Sequence, residues 1–92
     1  MDQFEGRIAV VTGGGTGMGR ELCLALVKAG AHVATCDVLE ENLAETRQLC
    51  EALAGDGVRF TTHRCDVASE ADVMAFRDEV AEQHKTEHIN LL

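Results

Sequence analysis

The sequence predicts an α/β fold, a parallel sheet wound on both faces by helices, and three observations carry that prediction. Short β-branched runs alternate with longer stretches of helical periodicity, in the order β-α-β-α-β-α-β. Turn residues separate the segments, and no proline interrupts any of them. A helix lies between every two strands, which makes the strands parallel and the crossovers right-handed.

The first strand is "RIAVVT" (7–12), a β-branched run of the length of a strand buried on both faces. Five glycines then fall within residues 13–19. Beyond them Met18, Leu22, Leu26 and Ala29 recur at helical spacing, and Gly30 stands where a helix C-cap belongs. "HVATCD" (32–37) reads as the second strand. Residues 39–54 form the second helix, with Leu43, Thr46, Leu49, Cys50 and Leu53 on one face, and "GDG" (55–57) ends it. "VRFTTHRC" (58–65) is the third strand. Ser69 caps a third helix with Asp72 as its capping-box partner, and Val73, Phe76 and Val80 form its apolar face. "INLL" (89–92) reads as the first half of a fourth strand, so the expected fold is partial, truncated at strand four.

Composition narrows the function classes. A formal charge of −8, with eight Lys and Arg scattered singly among acids, argues against a nucleic-acid partner. No apolar run reaches bilayer length, and "MDQFEGR" has neither a basic nor an apolar signal region, so a cytoplasmic protein without a membrane partner is expected. Cys23, Cys36, Cys50 and Cys65 lack zinc or redox-motif spacing and read as buried or half-buried thiols, kept reduced. His84 and His88 share a helical spacing but read as a solvated pair rather than a metal site. No metal ligands are assigned.

The chemistry concentrates in "TGGGTGMGRE" (12–21). A nucleotide-hydrolysing phosphate loop would need Lys and a hydroxyl where Arg20 and Glu21 stand, so that reading is rejected. G-x-G-x-x-G also fails, because its third glycine position holds Met18. The pattern that fits is T-G-x-x-x-G-x-G, over Thr12, Gly13, Gly17 and Gly19. One glycine permits the tight turn off the strand and a second lets backbone approach a pyrophosphate. The third lets the helix pack closely on the strand, with the helix N-terminus facing the anion. Asp37 closes the second strand, 24 residues after Gly13. A carboxylate there accepts from ribose hydroxyls and repels a 2′-phosphate, and no Arg or Lys at 14–16 or 38–39 would welcome one. NAD is therefore expected over NADP, although a helix-capping role for Asp37 also fits. Asp66 stands equivalently after the third strand, where it would accept from an adenine amino group or cap a turn. "CDV" recurs at 36–38 and 65–67, both times at the end of a strand where open α/β sheets bind ligands.

With these residues in place, "FEGRIAVVTGGGTGMGRELCLALVKAGAHVATCDV" and "CDVAS" resemble the short-chain dehydrogenase/reductase family over essentially the whole chain. The resemblance implies a Rossmann-type, doubly wound sheet, with residues 1–92 as the N-terminal part of one dinucleotide-binding domain. It implies cofactor contacts from Thr12, Gly13, Gly15, Thr16, Gly17, Met18 and Gly19. Asp37 with Val38 would hold the ribose, and Asp66 with Val67 the adenine. Family members continue into an Asn-Asn-Ala-Gly segment, a catalytic serine and a Tyr-x-x-x-Lys pair. This chain has no tyrosine, and its single serine reads as an N-cap. The expectation is a cofactor-binding half without turnover, its small-molecule substrate met only in a full-length form. Self-association through an exposed strand edge is also expected. The competing expectation is a stand-alone, non-catalytic nucleotide-binding or interaction module.

Overall fold

The computed structural model describes residues 6–84 and 90–91. Four strands, β1 (Ile8–Thr12), β2 (His32–Asp37), β3 (Phe60–Arg64) and β4 (Asn90–Leu91), alternate with α1 (Gly17–Lys28), α2 (Glu40–Leu53) and α3 (Glu70–His84). All strand pairings are parallel, in the order β3-β2-β1-β4. The α/β class and the alternation are those expected. The fourth strand is met at Asn90–Leu91, with Ile89 and Leu92 outside the described residues.

The chain winds outward from β1 to β3, then returns through α3 to the far side of β1. Right-handed crossovers put α1 and α2 on one face of the sheet and α3 on the other, because the direction of winding reverses. Two apolar cores result. Ala9, Val11, Val33 and Phe60 meet Cys23, Leu26, Val27 and Cys50 on the first face. Val10, Ala34, Cys36 and Cys65 meet Phe76 and Val80 on the second. Neighbouring residues of β1 and β2 thus serve opposite cores, which is why their sequences are apolar without alternation.

Helix phases differ from those expected. In α1 the buried stripe is Cys23, Leu26 and Val27, while Met18 is 89% exposed and Leu22 39%. Gly19 must face loop backbone (described below), and residues four, seven and eight positions further on share its face. In α2, Leu43, Thr46 and Cys50 are buried, but Leu49 and Leu53 lie on the exposed flank. At α3 only half of the capping box forms. Ser69 Oγ accepts from the Asp72 N–H at 3.2 Å, whereas the Asp72 carboxylate accepts from the Asp66 N–H at 3.1 Å.

His84 corrects another expectation. It is buried at the end of α3, its Nε2 2.8 Å from Thr61 Oγ1, whereas a solvated ring was expected; His88 lies outside the described residues. Thr61 also meets His63 Nε2 at 2.9 Å, and His63 Nδ1 meets Glu79 at 2.8 Å. Burial, then His32, His63 and Arg59, lower the pKa of His84 to about 4. All four cysteines are free and buried, and burial pushes Cys36 and Cys50 up to about 12.

Candidate cofactor-binding site

The reversal of winding lies between β1 and β4, and the glycine loop leaves the C-terminal end of β1 there. This is the crevice where open α/β sheets take ligands. Gly13 turns the chain at a φ of +72°, and the N–H groups of Gly13 and Gly14 both donate to the Cys36 carbonyl, at 2.9 and 3.1 Å. Gly17 begins α1 at a φ of +59° with nothing within 4 Å of a would-be Cβ, so backbone lies open to an approaching group. A Cβ on Gly19 would stand 2.0 Å from the Gly13 carbonyl oxygen. The close approach is therefore helix against loop, where helix against strand was expected.

Gly14, which the motif leaves unspecified, is the most confined position. A Cβ there would stand 1.8 Å from Thr35 Oγ1, a buried hydroxyl that donates to the Val11 carbonyl at 2.7 Å. Gly15 is confined by Asp37 and Asn42. The glycines thus divide into two that supply left-handed backbone and three that make room for neighbours.

The N-terminus of α1 is unneutralised. Thr16, its N-cap, is extended and makes no side-chain cap bond, and the first turn contains no acid. Unpaired N–H groups and the positive end of the helix dipole therefore face the crevice, which suits a phosphate. Thr12, Thr16 and Met18 are exposed around it.

Asp37 ends β2, half-buried beside the loop. Its Oδ2 accepts from the Gly15 N–H at 3.0 Å and its Oδ1 from the Val38 N–H at 2.7 Å. A carboxylate offers about four acceptor positions, so two remain for ribose hydroxyls. Asp66 lies one strand further along, exposed; its Oδ1 caps a turn through the Ala68 N–H at 2.9 Å. Val38, 46% exposed, and Val67, 61% exposed, add apolar surface on the same edge. The structure thus brings the loop and Asp37 into direct contact, with Asp66 and Val67 on the neighbouring strand end. A dinucleotide fits this donor set.

Arg20 and Thr46 were not expected here. The Arg20 guanidinium donates to Thr46 Oγ1 at 2.9 Å, to the carbonyls of Gly15 at 2.5 Å and Asn42 at 3.3 Å, and to Glu45 at 3.2 Å. Thr46 Oγ1 lies 2.8 Å from the Gly14 carbonyl and 3.2 Å from that of Gly15. A buried threonine on the apolar face of α2 was the one available signal, since such a hydroxyl needs a partner. Among the described residues no three His, Cys, Asp or Glu side chains group as metal ligands, and no helix is long and apolar enough to cross a membrane.

The sequence model for short chain dehydrogenases matches residues 7–92. A Mycobacterium tuberculosis protein named as the oxidoreductase SadH is 41% identical over 88 residues, covering 96% of this chain and 31% of the relative. The 2,5-dichloro-2,5-cyclohexadiene-1,4-diol dehydrogenase of Sphingobium indicum is 39% identical over 75 residues, 82% of this chain and 28% of that enzyme. Among solved structures, a short chain dehydrogenase/reductase from Burkholderia phymatum in complex with NAD superposes with a TM-score of 0.83 at 32% identity, covering 97% of this chain and 31% of that one. The chain spans about a third of the length of these relatives.

Proposed function

The chain belongs to the short-chain dehydrogenase family, whose members named above are oxidoreductases, and we propose that residues 1–92 are the NAD-binding N-terminal part of one Rossmann-type domain. The observation that carries this reading is the uncapped, acid-free N-terminus of α1, held by the glycine loop beside Asp37. Thr12, Gly13, Gly15, Thr16, Gly17, Met18 and Gly19 meet the pyrophosphate side of the cofactor. Asp37 and Val38 meet the adenosine ribose, and Asp66 and Val67 the adenine. NAD is preferred over NADP, because a 2′-phosphate would approach the Asp37 carboxylate.

Once bound, the cofactor would supply hydride chemistry, taking hydride from an alcohol carbon as a base takes the hydroxyl proton, so that the products are a carbonyl, NADH and the protonated base. This chain carries no tyrosine and no second serine to hold that proton. Its own residues bind and orient, and the 92 residues alone do not turn over. Four buried free thiols suit a reducing, cytoplasmic setting. Among the described residues β4 is the outermost strand beside β1, and on this reading its edge pairs with a second copy.

Calorimetric titration tests the reading. NAD and ADP-ribose should bind, NADP should bind at least tenfold more weakly, and Asp37→Ala should abolish that preference. Equal affinity for NAD and NADP would refute the specificity, and failure of both NAD and ADP-ribose to bind would refute the whole proposal. Incubation with an alcohol and NAD should yield no NADH.

A further inference from the structure

The carbonyls of Gly14 and Gly15 project their negative ends from the loop that, on the reading above, must receive a pyrophosphate. Both are turned towards α2. The Gly14 carbonyl meets Thr46 Oγ1 at 2.8 Å; the Gly15 carbonyl is met by the guanidinium at 2.5 Å and by Thr46 at 3.2 Å. On the opposite side the Gly15 N–H is held by Asp37 at 3.0 Å. Peptide 14–15 is therefore gripped at both its N–H and its C=O, and peptide 15–16 at its C=O. Arg20 is itself anchored away from the crevice, by the Asn42 carbonyl and Thr46 at 3.3 and 2.9 Å, with its side chain 17% exposed.

Resting on the proposed cofactor reading, we infer that Arg20 of α1 and Thr46 of α2 are positioning residues, a brace that stops the 14–15 peptide from flipping its carbonyl towards the pyrophosphate. Such a flip changes ψ of Gly14 and φ of Gly15, and it is sterically open because residues without a Cβ tolerate both signs of φ. In the flipped state an acceptor would face the anion where donors are needed. Thr46 removes that state by donating to the Gly14 carbonyl, its hydroxyl oriented by the bond it accepts from the Arg20 Nε–H, while the guanidinium holds the next carbonyl, that of Gly15, in a charge-assisted hydrogen bond. Arg20 acts through backbone geometry and need not touch the cofactor. Its planar fork matters, since one group must serve two carbonyls and a hydroxyl together.

The brace predicts effects with and without ligand. In the unliganded 92-residue chain, Arg20→Met and Thr46→Val should each speed hydrogen exchange of the Gly15 amide at least tenfold, with thermal melting monitored alongside. The exchange of amides at the centre of β2 should change only as far as the melting temperature does. In titrations, Arg20→Met should weaken ADP-ribose binding about tenfold, and Arg20→Lys should recover only part of that loss. Arg47→Met, which removes an equal charge from an exposed position on α2, should change affinity less than twofold. Unchanged Gly15 exchange in both brace variants would overturn the inference whatever the ligand does. Equal losses for Arg20→Met and Arg47→Met would overturn it in favour of simple charge attraction. If the unsubstituted chain bound no ADP-ribose, the cofactor reading would fall, and the exchange data would still decide the brace.

Discussion

At the scale of single residues, the glycines separate those legible from pattern from those that needed neighbours in space. Gly13 and Gly17 fall on the motif and have the left-handed backbone that a turn off a strand requires. Gly14 carries no such signal: its confinement comes from Thr35, 21 residues away on β2, and only the pairing of β1 with β2 brings the two together. Arg20 was legible only as the wrong residue for a hydrolase loop, because its partners other than the Gly15 carbonyl lie 22 to 26 residues further on. Replacing Gly14 by Ala forces a methyl group into a buried hydroxyl, an overpacking that should cost about 2–3 kcal/mol or more in urea unfolding. Gly55→Ala, where a Cβ meets nothing within 4 Å, should leave stability within about 0.5 kcal/mol or raise it slightly. Equal costs at the two sites would refute the steric account.

At the scale of elements, positions and types followed from periodicity, but the rotation of each helix about its axis did not. Met18 and Leu22 entered the expected stripe of α1 because they are large and apolar; Gly19 and Cys23 define the observed one because they are small enough for close approach. The α3–β3 interface shows the same limit. Polar residues at both ends of the contact, Thr61, His63, Glu79 and His84, bond one another across it, although the buried His84 Nδ1 finds no partner among the described residues. This arrangement has a pH signature. The folded pKa of His84, about 4, lies below its ordinary value of 6.5 because burial, and then His32, His63 and Arg59, oppose its protonation; Glu79 is paired to His63. The unfolded chain therefore binds the proton first as pH falls. The contribution is complete above pH 6.5 and is lost as pH drops towards 4, by about 2 kcal/mol between pH 7 and 5. Denaturant melts of His84→Gln should lack that part of the acid sensitivity. An identical pH profile in both proteins would show that His84 titrates in the fold as it does in the unfolded chain.

At the scale of the whole molecule, the class and order of elements were legible because each crossover allows one hand, and the reversal at β4 then dictates which face each helix covers. The contact between Asp37 and the loop was not, since spacing put the carboxylate near a ligand but said nothing of its bond to Gly15. The two cores share β1 and β2 between them, so the described domain should open as one unit. Cys23, Cys36, Cys50 and Cys65 report on this from α1, β2, α2 and the end of β3, all fully covered. Their labelling by a thiol reagent should proceed at a common rate that rises in step with urea. Early labelling of Cys36 and Cys65 alone would mean that the α3 face opens separately. The bond between Asp37 and the Gly15 amide also has an evolutionary side. A substitution that clears space for a 2′-phosphate at residue 37 removes a strut of the glycine loop in the same step, so a lineage changing its coenzyme would have to rebuild the loop before gaining from the change.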